Sequence, residues 1–256
     1  MDTPLREERD GRVLLLTFNR PEKLNALSVE LIRAFVRALD EANDDDTIGA
    51  VVITGAGDRA FTAGMDLKEA AHDGADLNTP ETNVGLAISR FRKPLVVAVN
   101  GLCITGGLEL ILSCDVVLAS TTAQFADTHV RVGLLPGWGV SQRLARQIGP
   151  QRAKEISLTG SFVDARRACE YGLVNRLVDP GDLLDEALQL AHEMADGNSA
   201  VVQAYKQVID DGYLMTLGEA LPMERQRGSD FFASLPAGSV EAGRLSASSR
   251  NRTDLT

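Results

Sequence analysis

Glu109 is the residue of this chain whose setting most calls for a chemical explanation. It lies in the run Asn100-Gly101-Leu102-Cys103-Ile104-Thr105-Gly106-Gly107-Leu108-Glu109-Leu110, where an apolar strand ends and two glycines open an apolar helix that reads as far as Cys114. Leu108, Leu110, Ile111 and Leu112 surround it, so the helix is expected to be buried nearly all round. Backbone amides at the start of a helix are unpaired donors in a partly positive field, which suits an oxygen that gains negative charge. A buried carboxylate is costly unless it has a partner or a reaction to serve. The same acid also fits a plain role in the first turn, where the helix dipole stabilises it.

Two further segments have residue types that suit chemistry. Ala60-Phe61-Thr62-Ala63-Gly64-Met65-Asp66-Leu67 follows an apolar strand and a Gly-Ala-Gly turn, and its small residues let main-chain N–H groups face a ligand. It reads equally as a strand-to-helix connection capped by Asp66. Gln124-Phe125-Ala126-Asp127-Thr128-His129 precedes Gly133-Leu134-Leu135-Pro136-Gly137-Trp138-Gly139. His72 falls in a polar stretch and His192 in a late amphipathic helix, so His129, between a strand and a glycine-rich turn, is the histidine best placed for proton transfer. A hydrogen-bonded structural imidazole is the competing reading.

The elements that must position these residues alternate between strand and helix. Val13 to Phe18, Ala50 to Thr54, Leu95 to Val99 and Val116 to Ala119 read as strands. Ser28 reads as the N-cap of a helix whose inner face is Leu31, Ile32, Phe35, Val36 and Leu39. Such alternation argues for a mostly parallel sheet. Glu69 to Asn83, polar and broken by Gly74 and Pro80, reads as a loop or short helix near a pocket mouth. Beyond it the reading is helical over Ser141 to Ile148, Arg152 to Leu158 and Ala165 to Tyr171. A strand from Leu173 to Val178 follows, then helices near Leu183 to Ala195 and Ala200 to Asp211. In the tail, Gly228, Pro236, Gly238 and Gly243 punctuate short polar segments, and Leu245 to Thr256 is expected to be loosely held.

Composition narrows the function classes. Of 256 residues 44% are hydrophobic and 24% charged, as in an ordinary globular chain. The 36 acids against 26 bases give a net charge of −10, which repels a nucleic-acid backbone, so nucleic-acid partners are not expected. An anionic ligand stays possible where local lysines, arginines and amides oppose the global field. The longest apolar stretches are strand-sized, far below the roughly 20 residues of a membrane helix. Met1 to Arg12 has no apolar leader core, so a cytoplasmic protein without a membrane partner is expected. Cys103, Cys114 and Cys169 are widely spaced and fit reduced thiols better than a metal site or a disulfide framework.

Taken in order, several segments resemble the enoyl-CoA hydratase/isomerase (crotonase) superfamily. They are Asn19-Arg20-Pro21-Glu22-Lys23-Leu24-Asn25-Ala26-Leu27, Phe61 to Leu67, Val99-Asn100-Gly101, Gly106 to Leu110, Cys114-Asp115 and Phe125-Ala126. Leu158-Thr159-Gly160 and Ala168 through Gly172-Leu173-Val174 extend the likeness over roughly residues 10 to 195. The resemblance implies an α/β fold of the ClpP/crotonase type, a spiral of β-β-α turns with a helical C-terminal region that trimerises, often as a dimer of trimers. It places a core with the acyl-CoA site in residues 1–195 and the helical region in 196–256.

The resemblance also implies acyl-CoA thioesters as ligands and no separate cofactor, coenzyme A entering as part of the substrate. The amides of Met65 and Gly106 would polarise the thioester carbonyl. Glu109 matches one of the two acids that flank the added water, and His129 stands where the family holds the second. The Gly137 amide would help position that water, and the lack of an aspartate there counts against a dehalogenase-like nucleophile. Trp138 would wall the acyl pocket or pack on the core. Lys23, Leu24, Ala26, Ala63, Asp66, Leu67, Lys68 and Pro136 would follow the CoA thioester, with Arg92 adding positive charge. The leading expectation is hydration of a 2-enoyl-CoA. An isomerase needing one base, and an acyl-CoA-binding relative without catalysis, are the alternatives. A serine hydrolase is disfavoured, because no serine stands at a tight nucleophile turn and Ser113 belongs to the apolar helix.

Overall fold

A computed structural model describes residues 3–69 and 79–236. The apolar runs form strands that are buried on both faces. After the antiparallel hairpin β1 (Leu5–Asp10) and β2 (Val13–Phe18) come β3 (Ala50–Gly55), β4 (Ala60–Thr62), β5 (Leu95–Val99), β6 (Leu102–Ile104), β7 (Val116–Ser120), β8 (Gln124–Ala126), β9 (Phe162–Asp164) and β10 (Arg176–Val178). β3, β5 and β7 enter a six-stranded sheet of order β1-β2-β3-β5-β7-β10, while β4, β6 and β8 enter a four-stranded sheet of order β4-β6-β8-β9. Helices Val29–Asp44, Val84–Arg90 and Gly106–Ile111 separate the successive strand pairs, so the core is a spiral of β-β-α turns, as the resemblance implies. Sequence reading missed β1, β4, β6, β9 and the helix Val84–Arg90, and it gave the strand before His129, β8, no bounds. Most of these elements are too short to show a period, and β1 has five exposed residues out of six.

Strand alternation divides the apolar residues between two cores. Leu14, Leu16, Phe18, Val51, Ile53 and Val97 face the larger one, with Leu31, Ile32, Phe35 and Leu39 of Val29–Asp44. Val13, Leu15, Ala50, Val52, Val96 and Ala98 face the other, against Leu183, Ala187, Ala191 and Ala195 of helix Leu183–Ala195. Ser28 caps Val29–Asp44 by accepting the Leu31 N–H at 3.2 Å. At the other end buried Lys93 donates to the carbonyls of Ala42 and Asp45 at 2.6 and 2.7 Å. Cys103 is buried, and none of the three cysteines forms a disulfide.

Helices Val140–Ile148, Pro150–Thr159 and Ala165–Glu170 stand where the sequence reading placed them. The strand expected over Leu173 to Val178 is shorter, because Leu173 and Val174 donate back to the Ala168 carbonyl and are spent closing the preceding helix. The tail also differs: Gly228 lies inside helix Leu217–Ser234, which a capping box between Thr216 and Glu219 starts and which accommodates Pro222. Helix Ser199–Tyr213 precedes it. Packing divides the chain into two compact units, Met1–Gln203 and Ala204–Thr256. His72, Gly74, Gly238, Gly243, Leu245 to Thr256 and most of Glu69 to Asn83 lie outside the described residues. Among the described residues no helix is long and apolar enough to cross a membrane.

Small residues let helix Leu183–Ala195 close on the sheet. A Cβ on Gly49 would stand 2.7 Å from the Ala195 Cβ and 2.9 Å from its Cα. Gly49→Ala should therefore lose about 1–3 kcal/mol of stability by overpacking, measured as a lowered midpoint in denaturant unfolding.

Candidate active site

The first main-chain donor is set by strand geometry. Leu27 and Met65 form an isolated parallel bridge in which the Leu27 N–H donates to Gly64 O at 2.8 Å and the Asp66 N–H to Leu27 O at 3.0 Å. Bonding the groups on either side of Met65 turns its own N–H away from Leu27, and that N–H has no hydrogen-bond partner among the described residues. The Leu24–Asn25 turn holds this segment from behind. Both residues have positive φ, and buried Asn25 donates to Ala56 O and Ala60 O at 2.9 and 2.8 Å. Gly64, at φ +85°, passes so close to β6 that a Cβ would meet Ile104 O at 2.8 Å.

The second donor follows a strained residue. Thr105 has φ 51° and ψ −99°, a conformation that costs a β-branched residue on the order of 1–3 kcal/mol. Its N–H donates to Ala126 O at 2.8 Å, and its hydroxyl lies 2.6 Å from the Thr128 hydroxyl and accepts the Thr128 N–H at 3.0 Å. This turn leads into Gly106, the first residue of helix Gly106–Ile111, whose N–H likewise has no partner among the described residues. The two donors are neighbours: a Cβ on Gly106 would stand 3.7 Å from the Met65 nitrogen.

Glu109 is 3% exposed, yet it is not unpartnered. Its Oε1 accepts the N–H of Trp138 at 2.8 Å and of Val140 at 3.3 Å, so the loop after His129 is fastened onto the helix. Burial pushes this carboxyl above its ordinary value, and the two amides and nearby His129 offset that only in part. Oε2 lies 3.9 Å from His129 Nε2. The opposite ring nitrogen, Nδ1, is 2.7 Å from Oδ1 of Asp127, itself 3% exposed. Burial opposes charge on the imidazole, but the hydrogen bond and charge of Asp127, with the charge of Glu109, lift it above the ordinary histidine value. Burial likewise raises Asp127, but hydrogen bonds from the His129 ring, the Ser157 hydroxyl and the His129 N–H outweigh it and leave the carboxyl below its usual range. Sequence reading quoted Asp127 in its segment and gave it no role; its signal was its place two residues before His129.

Ala63, Met65, Leu67, Gly106, Glu109, His129, Gly137 and Trp138 line one cavity of about 480 Å³. Trp138 does both things expected of it, packing at 6% exposure and walling this cavity. Pro136 lines an adjoining apolar cavity of about 550 Å³ that shares His129, Leu134 and Leu135 with the first. Leu24 and Ala26 support the wall from the adjacent turn: Leu24 O accepts the Ala63 N–H at 2.9 Å, and Ala26 O accepts Arg20 Nη1 at 2.7 Å. Asp66 is paired with Arg20 at 3.1 Å, and Lys23 with Glu69 at 3.0 Å. Lys68 is exposed and lines neither cavity. Arg92 lies elsewhere, bonded to Asn43 and paired with Asp44. His192 pairs with Asp10 at 2.8 Å.

Free amides facing a cavity beside a buried carboxylate suit a carbonyl oxygen that becomes an oxyanion. The sequence matches the Enoyl-CoA hydratase/isomerase family over residues 8–242. The chain belongs to the enoyl-CoA hydratase/isomerase family. Among its relatives in this family is a probable peroxisomal enoyl-CoA hydratase of Arabidopsis thaliana, 37% identical over 231 residues, which are 90% of this chain and 86% of the relative. Another is the 2,3-dehydroadipyl-CoA hydratase of Escherichia coli strain K12, 41% identical over 221 residues, 85% of this chain and 86% of the relative. The crystal structure of an enoyl-CoA hydratase subunit from Geobacillus kaustophilus HTA426 superposes with a TM-score of 0.87 at 34% identity, over 95% of each chain.

A family fold that buries Glu109 must bear its desolvation. A carboxyl whose value is raised by folding favours the native state when protonated, so its stabilisation is present at low pH and is lost as pH rises through the raised value. Glu109→Gln should therefore raise the melting temperature near neutral pH, by about 2–4 °C for each kcal/mol recovered in a chain of this size. The gain should vanish below the ordinary glutamate range, as calorimetry across pH would register.

Proposed function

We propose that the chain is an enoyl-CoA hydratase that adds water reversibly to the double bond of a 2-enoyl-CoA. The observation that carries this reading is the pair of amides, Met65 and Gly106, without hydrogen-bond partners among the described residues and on the same cavity as Glu109 and His129. The thioester oxygen accepts hydrogen bonds from both amides, which strengthen as the oxygen gains charge in the enolate-like transition state; each such donor contributes roughly 3 kcal/mol in comparable sites.

The remaining atoms balance as follows. Glu109, ionised, holds a water and takes one of its protons as the oxygen bonds to the β-carbon, and the Gly137 amide helps to position that water. His129, protonated, gives its Nε2 proton to the α-carbon as the enolate collapses. Glu109 then returns a proton to His129 across the 3.9 Å between them and resets the site. An isomerase needs one base, so the presence of two groups favours hydration.

The CoA moiety follows Ala63, Asp66, Leu67 and the Lys23–Leu24–Ala26 turn, with Lys68 and Pro136 at its flanks. Its phosphates draw Lys23 from the carboxylates it now pairs with. No further cofactor takes part. The enzyme works in the cytoplasm as a homotrimer or a dimer of trimers. Two sets of exposed apolar side chains support the assembly: Val130, Leu134, Leu135 and Leu158 in the first unit, and Ile209, Tyr213, Leu214 and Phe232 in the second.

The assay is loss of the enoyl thioester absorbance, with solvent oxygen appearing at the β-carbon; a shifted double bond without that oxygen would mean isomerisation. Gly106→Ala puts a methyl group between the amides and should lower kcat by about 10²–10³-fold. His129→Ala should lower kcat by about 10²-fold or more with affinity retained. Because turnover needs Glu109 ionised and His129 protonated, kcat/KM should be bell-shaped in pH. Its acid limb should lie above the ordinary glutamate value and its alkaline limb above the ordinary histidine value, following the two raised groups. Sedimentation velocity tests the trimer.

A further inference from the structure

Within the hydratase reading, a charge problem remains. A glutamic acid cycles between neutral and −1 as it gives and regains a proton, whereas an imidazole cycles between +1 and neutral. An imidazolium 3.9 Å from a buried carboxylate tends to form a static ion pair, and a lone half-buried imidazole tends to stay neutral with no proton to give.

Asp127 resolves this by its position. Its Oδ1 lies 2.7 Å from Nδ1 of His129 and accepts the His129 main-chain N–H at 3.3 Å. The Ser157 hydroxyl of helix Pro150–Thr159 adds a hydrogen bond. With Nδ1–H committed to Asp127, the proton that comes and goes is the one on Nε2, the nitrogen facing Glu109. Among the described residues the charged groups acting on the ring are Asp127 from its own segment and Glu109 from helix Gly106–Ile111, while exposed Lys154 of helix Pro150–Thr159 lines the adjoining cavity.

We propose that Asp127 and His129 act as one composite acid whose total charge cycles between 0 and −1, the electrical equivalent of a single glutamic acid, with Asp127 as the positioning residue. Asp127 stays ionised throughout, and only the Nε2 proton moves to the α-carbon and back from Glu109. The cavity then carries the charge that two carboxyl groups sharing one proton would give it, although one of those groups is here an imidazole.

The test compares Asp127→Asn, His129→Glu and the double variant in the enoyl-CoA hydration assay, with His129→Ala as control. Asp127→Asn should lower kcat on the order of 10²-fold with KM changed less than about threefold, and should move the alkaline limb to lower pH. His129→Glu alone sets two carboxylates side by side and should be slow. Adding Asp127→Asn to it should raise kcat at least about tenfold, because the pair again cycles between 0 and −1. The same asparagine thus lowers activity in one background and raises it in the other, which a purely structural role does not do. Asparagine lowering both backgrounds alike, or leaving kcat and the pH profile of the parent unchanged, would overturn the composite acid. If Asp127→Asn alone does not fold, the comparison of His129→Glu with the double variant decides by itself. Loss of turnover in His129→Ala with wild-type behaviour of Asp127→Asn would remove the composite acid and keep the hydratase reading; undiminished turnover in His129→Ala would remove the role of His129 itself.

Discussion

The carboxylate of Glu109 accepting the Trp138 and Val140 amides is the interaction on which the site depends. One oxygen is spent on structure and the other is left to the cavity. A neutral side chain would hold the loop more weakly, since hydrogen bonds to an ionised acceptor are roughly twice as strong as neutral ones. An acid without those amides would carry its burial uncompensated. The bond therefore fixes two things together, the position of the loop Gly133 to Gly139 and the seating of Trp138 over Gly106, and it offsets part of the rise that burial imposes on the Glu109 carboxyl.

The two donors opposite Glu109 arise by different means. Met65 needs only a parallel bridge with Leu27, because pairing Gly64 and Asp66 leaves the peptide between them turned outward. Gly106 depends on Thr105 being held in a conformation a threonine rarely adopts, and the bonds to Ala126 and Thr128 meet that cost. Those two residues belong to the end of β8 and the segment that follows it, the same stretch that carries Asp127 and His129. Strain beside the Gly106 amide and placement of the imidazole thus share one support.

A net charge of −10 sets the background against which an anionic ligand must bind. Around the turn from Arg20 to Lys23 the structure pairs its cations with Asp66 and Glu69, with Arg20 and Asp66 each 11% exposed in their side chains and Lys23 half exposed. The buried pair stiffens the wall next to Met65. The exposed lysine is bound by pairs of little strength in water and can exchange partners.

Much of the fold and part of the site were legible along the chain. Apolar strands, the Ser28 cap, the helices from Val140 onward, the acid in an apolar helix and the ordered motifs of the family are local patterns, each fixed by side-chain type and spacing over a few residues. Three-residue strands such as β4 and β6 were not legible, because they have no period and form only through partners 20 or more positions away, Ala60 with Leu102 and Cys103 with Phe125. The helix through Gly228 was hidden by Gly228 and Pro222, residues that usually end helices, although a capping box at Thr216 marks its start. The sequence by itself determined which groups the candidate site offers: two amides, a carboxylate and an imidazole. Only the tertiary structure decided that Glu109 takes its partners from Trp138 and Val140, that Asp127 backs His129, and that Arg92 stands apart. Hydrogen bonds and charges act over a few ångströms of space, and separation along the chain does not measure that distance.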